Sequence, residues 1–473
     1  MRRRLAVAFG AAALSLGCNL APRYVRPEAP VPKTLPKGEA TARASNGPLP
    51  SVRYQDIFRD PKLQSIIASA LRNSRDLRIA TANVLSAQAL YRVQRAGSYP
   101  RIDANAGVTI GGGAASGQTT GSSGPGDIYR VYSANVALSA FELDLFGRVR
   151  NLSAAALDVY FASKAGAQAA RVALVSQLAS TYLTLAADSS RLTIARQTLE
   201  NANASAELAR VRLSGGIAAA LDLRQAETIM AQAQSSIAEQ TTRVAQDLNS
   251  LALLVGAPVI GAMVPAALED VDALVVELPA GVSSQVLLRR PDVNQAEFQL
   301  RSANARIGAA RAAFFPSISL TGLLGFASGS LGSLFSSDAF GWNVHPNASV
   351  NLFNGGADAA NVDYASAQRE LYLAQYERTI QTAFREVADA LARQRTIAEQ
   401  LAAERAVVQA AEGSYRLAEA RYRGGVDNFL ATLEAQRTLF AARQSLLQTR
   451  LLRAETLVTL YRALGGDSFD MAD

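Results

Sequence analysis

Hydrophobic positions along this chain follow two different periods. After Pro100 they recur every second residue: Ile102, Ala104, Ala106, Val108 and Ile110 alternate with Arg101, Asp103, Asn105, Gly107 and Thr109. A Gly/Ser-rich stretch from Gly111 to Gly126 follows. Then Tyr132, Ala134, Val136, Leu138 and Ala140 share one side, with Ser133, Asn135 and Ser139 on the other. The pattern returns later. Ile318, Leu320, Leu324 and Phe326 stand against Ser317, Ser319 and Thr321; Trp342, Val344, Ala348, Val350 and Leu352 stand against Asn343, His345, Asn347, Ser349 and Asn351. A period of two predicts strands, at about 100–112, 128–142, 316–328 and 340–353. Pro346 has no N–H to give a ladder and predicts a bend or bulge in the fourth run. Each run matches the ~10 residues of a tilted transmembrane strand, one face apolar and one polar. His345 falls on a polar face, as a solvated residue would.

Elsewhere the period is helical. Arg148 to Leu213 contains no proline and only an isolated glycine, Gly166; Ala357 to Tyr422 is its twin, with Gly413 inside. About 66 residues at 1.5 Å each make a rod of ~100 Å. Leu178, Leu185 and Leu192, and Leu401, Val408, Tyr415 and Tyr422, are spaced by seven, the spacing of a coiled-coil seam. Rods this long need neighbours along their whole length. Helices at 75–98 and 220–255, together about as long as one rod, supply them.

The chain is written twice. Ala209-Arg-Val-Arg-Leu-Ser-Gly-Gly216 corresponds to Ala418-Glu-Ala-Arg-Tyr-Arg-Gly-Gly425, Val255-Gly256 to Leu464-Gly465, and Tyr99-Pro100-Arg101-Ile102 to Phe315-Pro316-Ser317-Ile318. This divides the chain into a segment 1–17, a leader 18–60, a first repeat 61–260, a linker 261–279, a second repeat 280–466 and a tail 467–473. Within each copy the order is helix, two strands, very long helix, helix. Four strands cannot close on themselves, and an open sheet edge in lipid leaves unsatisfied amides. Three chains give twelve strands, enough for a water-filled lumen; two chains give eight, a lumen that side chains fill. A soluble sandwich and a purely structural coiled-coil rod are the competing readings of these segments.

The leader adds an address. Arg2, Arg3 and Arg4 precede an apolar run, Leu5 to Leu16, too short to span a bilayer, and then Gly17 and Cys18. That is a signal peptide over 1–17. Ser15-Leu16-Gly17-Cys18 resembles a bacterial lipobox, which makes Cys18 a lipidation site; Ser15 stands where the pattern prefers Leu. Asn19 after the cysteine implies, by the same resemblance, sorting to the outer membrane. Pro22, Pro27, Pro30, Pro32 and Pro36 make the rest of the leader an extended tether.

Composition narrows the chemistry. One cysteine and one histidine among 473 residues exclude an intrachain disulfide framework, His-cluster metal sites and most nucleophile–histidine triads. There is no P-loop, HExxH, GxSxG or GxGxxG motif. The net charge of +7, three of it in the first four residues, is weak ground for a nucleic-acid partner, and none is expected.

The turn Glu142-Leu143-Asp144-Leu145-Phe146-Gly147-Arg148, its counterpart Leu352-Phe353-Asn354-Gly355-Gly356, and Arg421-Tyr422-Arg423-Gly424-Gly425-Val426-Asp427-Asn428 resemble the outer-membrane efflux protein family, TolC/OprM-like. Ala21-Pro22-Arg23-Tyr24-Val25-Arg26-Pro27 resembles its lipoprotein branch. The resemblance covers nearly the whole chain. It implies an all-α helical barrel tunnelling through the periplasm, joined to a transmembrane β-barrel of twelve strands, four from each chain of a homotrimer. It implies a periplasmic adaptor and an inner-membrane pump of the RND class as partners, outer-membrane lipid around the strands, no cofactor and no enzymatic step. The function implied is a passive gated duct for drugs or other small molecules. A periplasmic adaptor or a coiled-coil structural lipoprotein is the alternative; an adaptor would show one hairpin between lipoyl-like and small barrel domains.

A duct does its work at its constriction. Gly215-Gly216 and Gly424-Gly425 mark the helix reversals farthest from the strands. Just beyond the second, Leu430 and Glu434 are i, i+4 and share a helix face. By resemblance they hold the family's gate positions, where Asp is more usual than Glu434; an apolar ring closes by dewetting and an acidic ring favours cations. Tyr422 and Asp222 match a family pair that ties one helical hairpin to the other. Arg437, three residues from Glu434, reads equally as a gating link or a weak intrahelical ion pair. Asp427 stands where some relatives carry Arg. Arg210, Arg212, Arg421 and Arg423 are candidates for adaptor contact or for neutralising helix C-termini.

Overall fold

A computed structural model describes residues 19–32, 53–112, 128–217, 219–259, 261–265, 267–268 and 284–466. The signal peptide, Cys18, the tether beyond residue 32, the Gly/Ser-rich loop at 113–127, most of the linker and the tail lie outside them.

Its elements follow the two periods in chain order. A single turn, α1 (Tyr54–Ile57), leads to α2 (Pro61–Asn73) and α3 (Arg75–Ala96). The first hairpin is β1 (Ile102–Gly112) and β2 (Ile128–Glu142), followed by α4 (Arg148–Ser214) and α5 (Ala220–Val255). The second copy runs α6 (Pro291–Ala312), β3 (Ser317–Ser328), β4 (Phe340–Ser349), α7 (Ala357–Arg423) and α8 (Phe429–Ala463). α4 and α7 each hold 67 residues without interruption, since no proline removes a donor inside either. Among the described residues no helix is long and apolar enough to cross a membrane.

Local chemistry sets the ends. Asp60 caps α2, its carboxylate accepting from Lys62 N–H at 2.8 Å with Pro61 in the first turn. Asn428 caps α8 in the same way. α5 stops at Gly256, left-handed at φ +72°, against the Asn73 carbonyl, where a β-carbon would stand 2.6 Å from the oxygen.

The chain divides into two compact units. The sheet-bearing unit comprises Met1–Pro27, Val84–Ala162 and Ala296–Gln375. Its four strands pair antiparallel in the order β1-β2-β3-β4, leaving β1 and β4 as open edges. The bend expected at Pro346 is absent: β3 and β4 keep one register throughout, with Pro346 opposite Leu320. A proline fits an unbroken ladder where its nitrogen faces away from the paired strand, and within one chain β4 is paired on one side only. The irregularity lies instead in β2, between Leu138 and Phe141, where Ala140 has a φ of +36°. Leader residues are strapped along α6: Arg26 grips Glu297 through two bonds of 2.9 and 2.6 Å, Asn304 donates to the Pro22 carbonyl at 2.7 Å, and Ala21 fills the notch left by Gly308.

The helical unit comprises Glu28–Asn83, Ser163–Gln295 and Tyr376–Asp473. Its main core joins Phe58, Ile66 and Ile67 to the seam residues Leu178 and Leu185 and to Leu251, Leu457 and Tyr461. Phe58 meets Tyr461 edge-on at 5.4 Å, and Tyr182 donates to the buried capping residue Asp60 at 2.6 Å. Of the other seam residues, Leu401, Tyr415 and Tyr422 are buried as well, while Leu192 and Val408 are half-buried.

Candidate functional site: the helix tips

The two helix reversals of the helical unit are built alike. At the first, Gly216 N–H donates to Leu213 and Ile217 N–H to Arg212. At the second, Gly425 N–H donates to Tyr422 and Val426 N–H to Arg421, the same bonds 209 residues on. This closure needs a left-handed residue just past the helix; Gly216 and Gly425 supply it at φ +73° and +77°.

Beyond the second tip, α8 has two distinct faces. Phe429, Thr432, Leu433 and Gln436 are buried. Leu430, Glu434 and Arg437 are exposed, Leu430 by 47%. Residues at i, i+4 and i+7 share one stripe, so an apolar side chain, an acid and a base stand in line. Glu434 and Arg437 form no ion pair with each other in this arrangement, and Glu434 is open to solvent.

Tyr422 is buried at the end of α7. Its ring packs on Phe429 at 5.2 Å, and its hydroxyl has no hydrogen-bond partner. Asp222, in the first turn of α5, is half-buried and does not receive that hydroxyl. The two hairpins are tied instead by Arg212, at the end of α4. Its guanidinium donates to the Tyr422 carbonyl at 2.6 Å and lies over the Tyr422 ring at 4.7 Å. Within the second hairpin, Thr432 on α8 donates to the Ala418 carbonyl on α7 at 3.2 Å. Reading the sequence did not single out Arg212 from its neighbours. It corresponds to Arg421 in the second copy, and nothing in the residue types distinguishes the two.

Arg210, Arg421 and Arg423 are spoken for within their own hairpins. Arg210 pairs with Glu207 and Arg423 with Glu419, at 2.7 Å each. Arg421 holds Asp427 through two bonds of 2.6 and 2.9 Å, and these hydrogen bonds keep the Asp427 carboxyl below its ordinary range. Asp427 is thus committed to its own hairpin.

Among the described residues no cluster of His, Cys, Asp and Glu could hold a metal. The helical unit holds a doubled helical hairpin whose tip bears a stripe of Leu, Glu and Arg, and the sheet-bearing unit a four-stranded sheet with two open edges, the parts that the sequence resemblance implies.

Comparison with known proteins agrees. The family model described as outer membrane efflux protein matches residues 66–257 and 282–466. The chain is 42% identical over 456 residues to the probable efflux pump outer membrane protein TtgC of Pseudomonas putida, covering 96% of this chain and 93% of that one. A crystal structure of a membrane protein from Pseudomonas aeruginosa superimposes with a TM-score of 0.87 at 36% identity, covering 95% of this chain and all of that one. The open state of the Neisseria gonorrhoeae MtrE outer membrane channel gives a TM-score of 0.83 at 33% identity, covering 95% of this chain and 98% of that one. Solved neighbours of this fold are trimeric channels with a strand barrel and a helical tunnel, to which each chain contributes four strands. The chain belongs to the outer membrane efflux protein family: it is the outer-membrane channel of a tripartite efflux system, a homotrimer that works with a periplasmic adaptor and an inner-membrane pump.

Proposed function

We propose that Leu430 and Glu434 are the closing elements of this channel, repeated three times around its axis. The observation that carries this is the division of α8: the face with Phe429, Leu433 and Gln436 is buried within the chain, and the face with Leu430, Glu434 and Arg437 is not. A ring of leucines excludes water from a narrow passage, and a ring of carboxylates selects cations. Tyr422, Asp222 and Arg437 set how far the tip leans inward. In this reading the tie between hairpins runs through Arg212 to the backbone of Tyr422, and Asp222 is free to take the Tyr422 hydroxyl in another state of the tip.

The chain acts as a passive duct and performs no chemistry of its own. Cys18 carries lipid after removal of residues 1–17, and the strap along α6 holds the leader close to the sheet-bearing unit that the lipid accompanies. Relatives are named for efflux of toluene and of antibiotics. Small apolar or amphipathic molecules are therefore the proposed cargo, chosen by the inner-membrane pump.

Conductance in planar bilayers tests the gate. Leu430→Ala combined with Glu434→Ala should raise single-channel conductance several-fold, and Glu434→Gln alone should weaken cation preference without widening the passage. Unchanged conductance and selectivity in both would remove these residues from the constriction.

A further inference from the structure

The duplication writes the strand-to-helix elbow twice, but a single chain completes only one. In the first copy, Phe146 stacks on Phe315 with ring centroids 4.7 Å apart and planes within 21°. The two rings extend the β2–β3 ladder. The pairs Phe141–Leu320 and Glu142–Ser319, continued along both strands, bring Phe146 opposite Phe315. Leu143 N–H donating to the Ile318 carbonyl at 2.8 Å is part of that continuation.

In the second copy Leu352-Phe353 stands where Leu145-Phe146 does, and nothing among the described residues covers it: Leu352 is 94% exposed and Phe353 92%. The aromatic corresponding to Phe315 is Tyr99, which precedes Pro100 as Phe315 precedes Pro316. Tyr99 lies at the foot of β1, the opposite open edge, and is 59% exposed. The trimer must close its barrel by joining β4 of one chain to β1 of the next.

We infer that Phe353 stacks on Tyr99 of the partner subunit, and that this contact sets the register of the seam between chains. Continued up the strands, the ladder puts Asn347 opposite Asn105 of the partner subunit and Val344 opposite Val108 of the partner subunit. Polar faces polar and apolar faces apolar, as a barrel with water inside and lipid outside requires. The inference rests on the trimeric assembly of the family.

Barrel geometry checks the register independently. The sheet's own pairing puts Ala106 level with Ala134, Phe326 and Phe340. The proposed seam sets Phe340 opposite Gly112 of the partner subunit, an advance of six residues along β1 for each chain. Three chains advance by about 18 residues over twelve strands, which at ~3.3 Å rise and ~4.8 Å spacing tilts the strands by about 45°. A two-residue slip toward larger advance tilts them by roughly 55°, outside the observed range of ~35–45°. The opposite slip gives roughly 35° and still closes, but it parts the two rings. Closure therefore excludes one neighbouring register and the aromatic pair excludes the other.

Paired cysteines on the water-facing side test this in the full-length trimer in outer membranes, with trimer formation scored separately by mass in detergent. Asn347→Cys with Asn105→Cys should give oxidant-dependent, heat-stable dimers and trimers on denaturing gels, about fivefold above either single variant and above the slipped pairs Asn347→Cys with Asp103→Cys and Asn347→Cys with Gly107→Cys. Stronger linkage in a slipped pair overturns the register; a trimer that links in none of the three overturns the seam; absence of any trimer in the unmodified protein overturns the assembly itself. A second measurement does not depend on strand cysteines. Phe353→Ala should lower the temperature at which the trimer dissociates, Phe353→Tyr should restore it, and Phe353→Ala with Tyr99→Ala should be no worse than the worse single variant. Fully additive losses would show that the two rings do not meet.

Discussion

The helical unit and the sheet-bearing unit solve the burial problem in opposite ways. The helical unit closes a core within one chain, sealing Tyr182, Tyr376, Tyr461, Phe58, Ile66, Ile67 and Leu178 almost completely. In the sheet no strand residue is buried, and every residue of β4 is exposed. Buried positions on the helices of that unit are mostly alanine, at 155, 162, 303, 305, 309 and 312. Large apolar groups such as Ile110, Trp342 and Val344 lie open instead. One unit carries its solvent boundary in its own sequence. The other leaves its boundary to lipid and to further copies of itself, as backbone satisfaction in a membrane demands.

Truncating one large side chain in each unit should give the widest contrast. Tyr461→Ala empties a packed site against Phe58 and should cost roughly 3–5 kcal/mol, seen as a lower melting temperature in detergent. Trp342→Ala removes a larger side chain but leaves no cavity in the chain, so its melting temperature should hold while reconstitution into bilayers becomes less efficient. Equal losses would break the contrast between the units.

Charges should divide the same way. Arg290 is buried and donates to Asp292 at 2.7 Å, to Glu386 at 3.0 Å and to the Ala463 carbonyl at 3.1 Å. Arg290→Met would leave all three acceptors without it, at about 3 kcal/mol. Arg101, at the foot of the sheet, pairs with Asp103 at 2.9 Å in the open, and Arg101→Ala should leave the melting temperature unchanged.

The tips fall between these extremes. Arg212→Ala removes one charge-assisted bond and one ring contact, about 1 kcal/mol at a half-exposed position. Hydrogen exchange should quicken in residues 418–432 and stay unchanged in the main core. Faster exchange throughout would mean that the tip is not an independent element.

What could be read from the sequence divides along the same boundary. The alternation at 102–110 and 132–140 is legible because each strand residue meets one solvent, lipid or water, and chooses its type accordingly. The rods are legible because proline is absent and the sevenfold seam is kept from Leu178 to Leu185 and from Leu401 to Tyr422. Pro346 misled, because whether a missing N–H matters depends on which way the nitrogen faces, and residue type does not carry that. The bulge near Ala140 gave no signal, since alanine has no preference for a positive φ. At the proposed gate, the shared face of Leu430 and Glu434 follows from spacing alone. The role of Arg212 does not: it depends on one hairpin tip lying beside the other, and the near-identical Arg421 turns to Asp427 instead.

The smallest effect is one of pH, and it comes from a half-buried carboxyl of the helical unit. Asp247 on α5 is pushed up to about 6, first by burial and then by the neighbouring Asp188 on α4, against the opposing pull of Arg191 and Arg243. Asp188 is already held by Arg191, which also donates to Gln448 at 2.7 Å, so the second carboxyl finds its cation taken. A carboxyl that binds its proton more tightly folded than unfolded gives stability that is greatest at low pH and is lost as pH rises from the ordinary carboxylate range through about 6. Asp247 should therefore make the native channel melt slightly higher near pH 4.5 than near pH 7.5. Asp247→Asn should flatten that dependence, raising the melting temperature at pH 7.5 by a degree or two and leaving it nearly unchanged at pH 4.5. A variant destabilised equally at both values would show Asp247 charged and gripped by the arginines, and the buried unit would then tolerate a second carboxylate that its packing argues against.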